Sequence, residues 1–216
     1  CIRDRASIEV KKVKLKTWQT GKPNEAPYFI EKKQYQGACG KVYPLPVTDQ
    51  ISSETADQEY EMVCMENDFI SVHLLPAIGG KIYGAKDKGT GYEFIYKNEV
   101  IKPALIGLCG PWVSGGVEFN WPQHHRPTTY SSVKYEIRRN EDGSVTCFMG
   151  EAEPFHRMRG TAAVTVYSDR NYIEVKAMVS NTADQALPFM WWNNTAVRVD
   201  ETYRACFPPD ISYGAD

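Results

Sequence analysis

Long apolar runs are missing from this chain: nothing approaches the ~20 consecutive apolar residues that a membrane-spanning helix needs. A surplus of positive charge is missing as well. Twenty-five Lys and Arg stand against 27 Asp and Glu, a formal net charge of -2. That balance draws the surface neither to nucleic acid nor to an anionic membrane. The six cysteines, at positions 1, 39, 64, 109, 147 and 206, include no CxxC pair. Their wide spacing matches neither a zinc knuckle nor a compact disulfide framework. Cys64 and Cys147 fall in apolar strand patterns, where a free thiol behaves as a small hydrophobe. Reduced, structural cysteines are therefore expected. HxH and HExxH are absent, so no metal site is predicted; His124, His125, His156 and Glu118 would form one only if the fold gathered them. No phosphate loop or dinucleotide fingerprint occurs, since Gly79-Gly80 and Gly115-Gly116 do not open helices. Ser114 lacks the preceding glycine of a nucleophile elbow. No cofactor is predicted. The chain begins at Cys1 rather than Met. A lipid-carrying residue after a cleaved signal peptide and a cut within a longer chain both fit, leaving cytoplasmic and exported locations open.

What is present points to β structure. The chain has 216 residues, enough for one well-buried core or two small ones, and 42% of them are hydrophobic. Thirteen Tyr and five Trp, with little Leu, favour strands and aromatic platforms. Ile8, Val10, Val13, Leu15 and Trp18 alternate with lysines, as in an edge strand blunted by charge. Residues 27–46 predict a strand, a Gly-rich turn and an extended piece. Residues 48–58 are polar and predict a solvated loop. Tyr60–Cys64 and Phe69–Leu75 read as a hairpin about Glu66-Asn67-Asp68. Strands are expected from Lys81 and over Tyr92–Tyr96, and residues 97–108 are the one place for a short helix. Two further hairpins follow, with turns at Asp142-Gly143 and Ser168-Asp169-Arg170. Val197–Val199 and Tyr203–Phe207 close the chain. Many strands with almost no helix predict an all-β antiparallel sandwich, residues 1–216 forming a single domain.

The segment Pro111–Pro127, PWVSGGVEFNWPQHHRP, gathers side chains that packing alone rarely demands. Gly115 and Gly116 permit positive φ or close approach of a ligand. Its three prolines argue against a helix or a central strand. Trp112, Phe119 and Trp121 offer stacking faces. Glu118, His124, His125 and Arg126 can bind or protonate hydroxyls. Glu118 is set among aromatics, where desolvation would raise its pKa and suit it to proton transfer. Glu151 and Glu153 offer a second carboxylate for glycosidase chemistry, or simply a solvated turn. In Phe189–Thr195 an extended backbone sends Trp191 and Trp192 to opposite faces. At most one indole is core; the other, beside Asn193 and Asn194, reads as a stacking wall with amides, or the pair as a core tryptophan followed by a turn. Sugars ask for the first combination.

Taken in order, Gly115-Gly116 with Val117–Pro122, then His124-His125-Arg126, then Asn181–Phe189 and an aromatic-amide strand resemble the aldose 1-epimerase superfamily, the galactose mutarotase-like proteins. The chain is similar also to an uncharacterised bacterial domain family of that fold, often found ahead of tetratricopeptide repeats. Tyr35-Gln-Gly, Gly40–Pro46, Leu75–Gly80 and Trp112–Pro122 carry that likeness. The resemblance implies a supersandwich of antiparallel sheets, of which this chain is an N-terminal portion, with a carbohydrate cleft on a concave face. It implies a helical-repeat region following. His124 or His125 would match the first cleft histidine, and Lys81 a sugar-contacting arginine. Two departures stand out: mutarotases carry a catalytic histidine where this chain has Trp192 and Asn193, and a general-base glutamate later than residue 216.

The expectation is a carbohydrate-active domain, hydrolysing glycosides or interconverting anomers, with Glu118 and His124 catalytic. Lys81, Trp112, Trp121, His125, Arg126, Trp192 and Asn193 would bind substrate. The alternative is a non-catalytic carbohydrate-binding or scaffold sandwich attached to helical repeats.

Overall fold

The structure, a computed structural model of the chain, describes residues 5–26, 28–29, 42–43, 45–122, 125–154 and 157–209. In Ile70-Ser-Val-His-Leu the period-two pattern sends Ile70, Val72 and Leu74 to one side, and all three are fully buried. The same rule organises most of the described chain, which contains strands and no helix. In order these are β1 (Ser7–Thr20), β2 (Tyr28–Phe29), β3 (Val42–Tyr43), β4 (Ile51–Glu66), β5 (Ile70–Leu75), β6 (Lys81–Asp87), β7 (Ala104–Gly107), β8 (Gly110–Trp112), β9 (Val117–Asn120), β10 (Lys134–Arg139), β11 (Val145–Glu153), β12 (Met158–Val166), β13 (Ile173–Asn181) and β14 (Trp192–Thr195).

Six strands form one sheet in the order β1-β4-β5-β6-β9-β14, and four form another in the order β10-β11-β12-β13. The pairs β2-β3 and β7-β8 stand as small two-stranded sheets. Among the described residues every pair of these strands is antiparallel, and one isolated bridge, Thr17↔Ile101, is parallel. The main core lies between the two large sheets. Val63, Met65, Val72, Ile82, Val117 and Phe119 from one meet Val145, Cys147, Met149, Ala162 and Val164 from the other. The opposite face of the six-stranded sheet is apolar in part: Tyr60, Met62 and Tyr83 pack there under Ile78, Ile101 and Val113 from the connections. One large sheet is thus covered on both faces.

The Glu66-Asn67-Asp68 turn does more than reverse the chain. Asn67 Oδ1 accepts from the Phe69 and Ile70 amides, each at 2.8 Å. Its Nδ2 donates to the carbonyls of Tyr167 at 2.7 Å and Arg170 at 2.6 Å, in the β12–β13 turn. A single buried amide therefore ties one sheet to the other.

Several expectations require correction. Of residues 48–58, only 48–50 are irregular: β4 starts at Ile51 and pairs with β1 up to Thr20↔Ile51. Most of its first half is exposed, so backbone pairing rather than apolar burial holds it, and alternation could not reveal it. Tyr92–Tyr96 contributes only an isolated bridge, Ala85↔Ile95. The proposed helix over 97–108 is replaced by the hairpin β7–β8. Val197–Val199 and Tyr203–Phe207 form no strand. The Gly-rich turn within 27–46 lies outside the described residues, apart from the β2–β3 pair.

Asn67→Ala removes two donors' acceptor and two carbonyls' donor at once. At about 0.5–1.5 kcal/mol net for each of the four bonds lost, the variant is expected to lose about 2–6 kcal/mol and to melt several degrees lower. Thermal unfolding followed by circular dichroism checks this; an unchanged Tm would show that the amide is no clamp.

Candidate functional site

Between its prolines, the Pro111–Pro127 segment makes two strands after all, β8 and β9. The glycine pair allows this. Gly116 sits at φ 71, and a Cβ there would stand 2.1 Å from the Ile82 carbonyl oxygen. Its amide donates to Tyr96 O at 2.6 Å. With no side chain in the way, β9 inserts between β6 and β14, an interior position that the prolines seemed to forbid. Pro111 lies on the short β7–β8 pair and Pro122 just past β9, so neither removes a donor from the central ladder.

Pleating then divides β9. Val117 and Phe119 enter the main core, while Glu118 and Asn120 face the other way. Glu118 is only 4% exposed. Its Oε1 accepts from Thr129 Oγ1 at 2.6 Å, and its Oε2 from Trp112 Nε1 at 3.2 Å. His125 Nδ1 lies 3.1 Å from the same Oε2. Burial pushes the Glu118 pKa up, but the donors Thr129, Trp112 and Asn120, with His125 beside them, outweigh it. The net value falls below the ordinary 4.5. The expectation of a raised pKa is thereby corrected: Glu118 is an ionised, immobilised acceptor. An acid catalyst needs the opposite.

That carboxylate orients His125. The imidazole side chain remains 31% exposed and sits between two half-buried indoles. It meets the Trp192 ring edge-on at 4.6 Å and 76°, and the Trp112 ring at 6.4 Å and 80°. Trp192 is opposite Asn120 across the β9–β14 ladder, and Asn194 opposite Glu118, so all four share a face. Among the described residues two donors beneath this surface lack hydrogen-bond partners, Trp192 Nε1 and Asn120 Nδ2. The Asn120 amide lies near enough to Glu118 to help hold it ionised without completing a hydrogen bond of normal geometry.

The other predicted residues are distributed differently. Trp121 is no ligand platform: at 1% exposure it belongs to the main core. Trp191 stacks on it at 5.0 Å with a 3° interplanar angle, and the Arg126 guanidinium lies over its ring at 4.4 Å. Gly160 makes room for it, since a Cβ there would be 2.1 Å from the indole. Arg126 is 2% exposed; its NH1 pairs with Glu151 at 3.4 Å and its NH2 donates to the Gly79 carbonyl. Glu151, in turn, accepts from Thr128 Oγ1, and Glu153 is 2% exposed, so these glutamates are no solvated turn. Lys81 is buried with its ammonium on the Val113 carbonyl at 2.9 Å, and burial lowers its pKa to about 8 against the pull of Glu118. It braces the β8–β9 connection from beneath. Asn193 points away from Trp192 and accepts from Trp191 Nε1 at 3.1 Å. His124 and His156 lie outside the described residues.

The arrangement thus unites Trp112, Glu118, His125 and Trp192, and separates them from Trp121 and Asn193. Thr129 and Asn120 were not singled out by sequence; parity along β9 would have identified Asn120, which shares a face with Glu118 and with Asn194, an amide the sequence did mark. Among the described residues no group of three or more His, Cys, Asp and Glu side chains is gathered as a metal would require. Cys64, Cys109, Cys147 and Cys206 are free thiols, and burial pushes Cys109 and Cys147 up to about 12. Among the described residues no helix is long and apolar enough to cross a membrane.

Comparison with known proteins shows likeness to a domain family and to a solved structure. The family described as "Domain of unknown function (DUF5107)" matches residues 38–216. A crystal structure of a TPR-domain containing protein from Parabacteroides distasonis ATCC 8503 superposes with a TM-score of 0.76 at 24% identity. The alignment covers 89% of this chain but 32% of that one, so the chain spans about a third of its length.

A depressed folded-state pKa makes Glu118 a pH-dependent stabiliser. Its contribution is fully present above the unfolded value near 4.5 and is lost as pH falls through the lower folded value. Glu118→Gln is expected to show a shallower loss of stability than the unsubstituted chain between about pH 4.5 and pH 2. Urea unfolding at stepped pH measures this; parallel curves would contradict the ionised assignment.

Proposed function

The chain belongs to the DUF5107 family of domains of unknown function, and for this member we propose that the indole-flanked surface around His125 binds carbohydrate. The reading takes residues 1–216 as one sandwich domain of galactose mutarotase-like type. The observation that carries it is the pairing of two half-exposed indoles with an imidazole held by a buried carboxylate. A pyranose presents an apolar C–H face and a rim of hydroxyls, which suit an aromatic ring and fixed polar groups respectively. Trp112 and Trp192 supply the rings, His125 and Asn194 the polar contacts. The catalytic assignment narrows accordingly. Glu118 acts through His125, as a positioning residue, because an ionised carboxylate saturated with donors has no proton to give. Binding is therefore the primary reading, ahead of glycoside hydrolysis or anomer interconversion.

A glycan array followed by calorimetry tests it. Trp112→Ala, Trp192→Ala and His125→Ala should each weaken binding of the selected glycan by about tenfold, near 1.4 kcal/mol, with the far-ultraviolet spectrum retained. Failure to bind any glycan, or affinity indifferent to all three substitutions, would sink the proposal.

A second reading is favoured by the TPR-domain containing neighbour, of which this fold makes up about a third. On that reading the sandwich is a scaffold for attached helical repeats, and the His125 face is an internal contact. Diethyl pyrocarbonate modification of His125 would then slow sharply when the helical region is joined to the sandwich. Equal rates with and without it would leave the sugar site standing.

A further inference from the structure

A polar cleft lies on the same face of the six-stranded sheet as the His125 surface, over β5 and β6. Ser71 is opposite Lys86, and His73 opposite Gly84, so these four positions form one patch facing a single way. With Ala85, Glu93 and Lys97 they line a cavity of about 160 Å³. At ~30 Å³ for each water of liquid volume, that space suits a carboxylate or phosphate group with a short body attached. Gly84 is the floor. A Cβ there would stand 3.0 Å from Cδ of Lys97 and 3.1 Å from its Cβ, so bare backbone is what lets the Lys97 stem lie across the strand.

The donors of this cleft are underused. Lys97 Nζ reaches Glu93 at 3.8 Å and Glu99 at 3.4 Å, too far to fill its hydrogen-bonding capacity. Glu99 is 82% exposed, so its share of that contact is weak and easily exchanged. Among the described residues neither the His73 imidazole nor the Lys86 ammonium has a hydrogen-bond or ion-pair partner. The groups around His73 are Lys97, Lys11, Glu66 and Glu93, with Cys64 opposite it on β4. Burial first, then Lys97 and Lys11, hold its pKa below the ordinary 6.5, and the two glutamates only partly offset them. A neutral imidazole among ammonium groups lacks one thing, a negative charge to accept from it.

We propose that this cleft binds a small oxyanion, the carboxylate or phosphate group of a ligand, through Lys97, Lys86, His73 and Ser71. Glu99 swings into solvent as the anion takes its place on Lys97. The site does not depend on the sugar reading of the His125 surface and would stand without it.

The test is NMR of the histidine side chains at constant ionic strength, with inorganic phosphate and acetate titrated separately. The expected result is a saturable shift at His73 and none of that form at His125. With anion bound, the His73 titration midpoint should rise by about half a unit or more, as a nearby opposite charge requires. Lys97→Met and Lys86→Met should each weaken binding several-fold, and Glu99→Gln should strengthen it. Phosphate saturating well below acetate assigns a phosphate ligand, and the reverse a carboxylate. Shifts linear in concentration, or unaltered by both lysine substitutions, would overturn the proposal.

Discussion

A carboxylate left 4% exposed in a protein interior must be ligated on both oxygens or give up its charge. Glu118 keeps its charge, and much of the neighbourhood follows from that requirement. Thr129 must return to β9 from beyond the two-histidine segment to reach Oε1. Trp112 must lie so that its ring nitrogen meets Oε2, which fixes the indole at the edge of the surface. His125 is drawn to the same oxygen and takes its orientation from it. The surface chemistry of the site is therefore set from below, by a residue that a ligand would not touch.

Strand parity supplies the second constraint. Across β9 and β14 the aromatic residues divide into two sets with different work. Phe119, Trp121 and Trp191 stack on one another inside the sandwich, with Arg126 laid over the Trp121 ring. Trp192, with Trp112 from β8, faces outward around His125. The pair Arg126–Glu151 then joins this segment to β11 of the second sheet. A buried ion pair of this sort contributes more to fixing the arrangement than to net stability, since desolvating both groups consumes most of the attraction.

The His125 surface and the cleft beside Lys97 both occur on the face of the six-stranded sheet that turns away from the main core. That face is covered by connections rather than by a sheet, so its packing is irregular. Tyr83 and Ile101 fill part of it; where short or missing side chains such as Gly84 and Gly116 stand, loops approach closely and polar groups are left to line space. A regular sheet-on-sheet interface has no such gaps.

Much of the fold was legible in the chain. Ile70, Val72 and Leu74 alternate with polar residues, and Asp142-Gly143 marks a tight turn, because one buried face and a two-residue reversal leave period and composition signals. The first half of β4 left none, since solvent on both sides removes the alternation. Nor did the β7–β8 hairpin, in which backbone pairing overrides a weak local preference.

The candidate site divides in the same way. The sequence by itself determined that aromatic and titratable groups crowd Pro111–Pro127, and that Trp191 and Trp192 oppose each other. Which indole is core, whether Glu118 is charged, and whether Trp121 meets ligand or Arg126 were decided only by tertiary structure. Each depends on partners distant in the chain, Thr129, Glu151 and Gly160 among them, and burial and hydrogen bonding are properties of that company rather than of the residue alone.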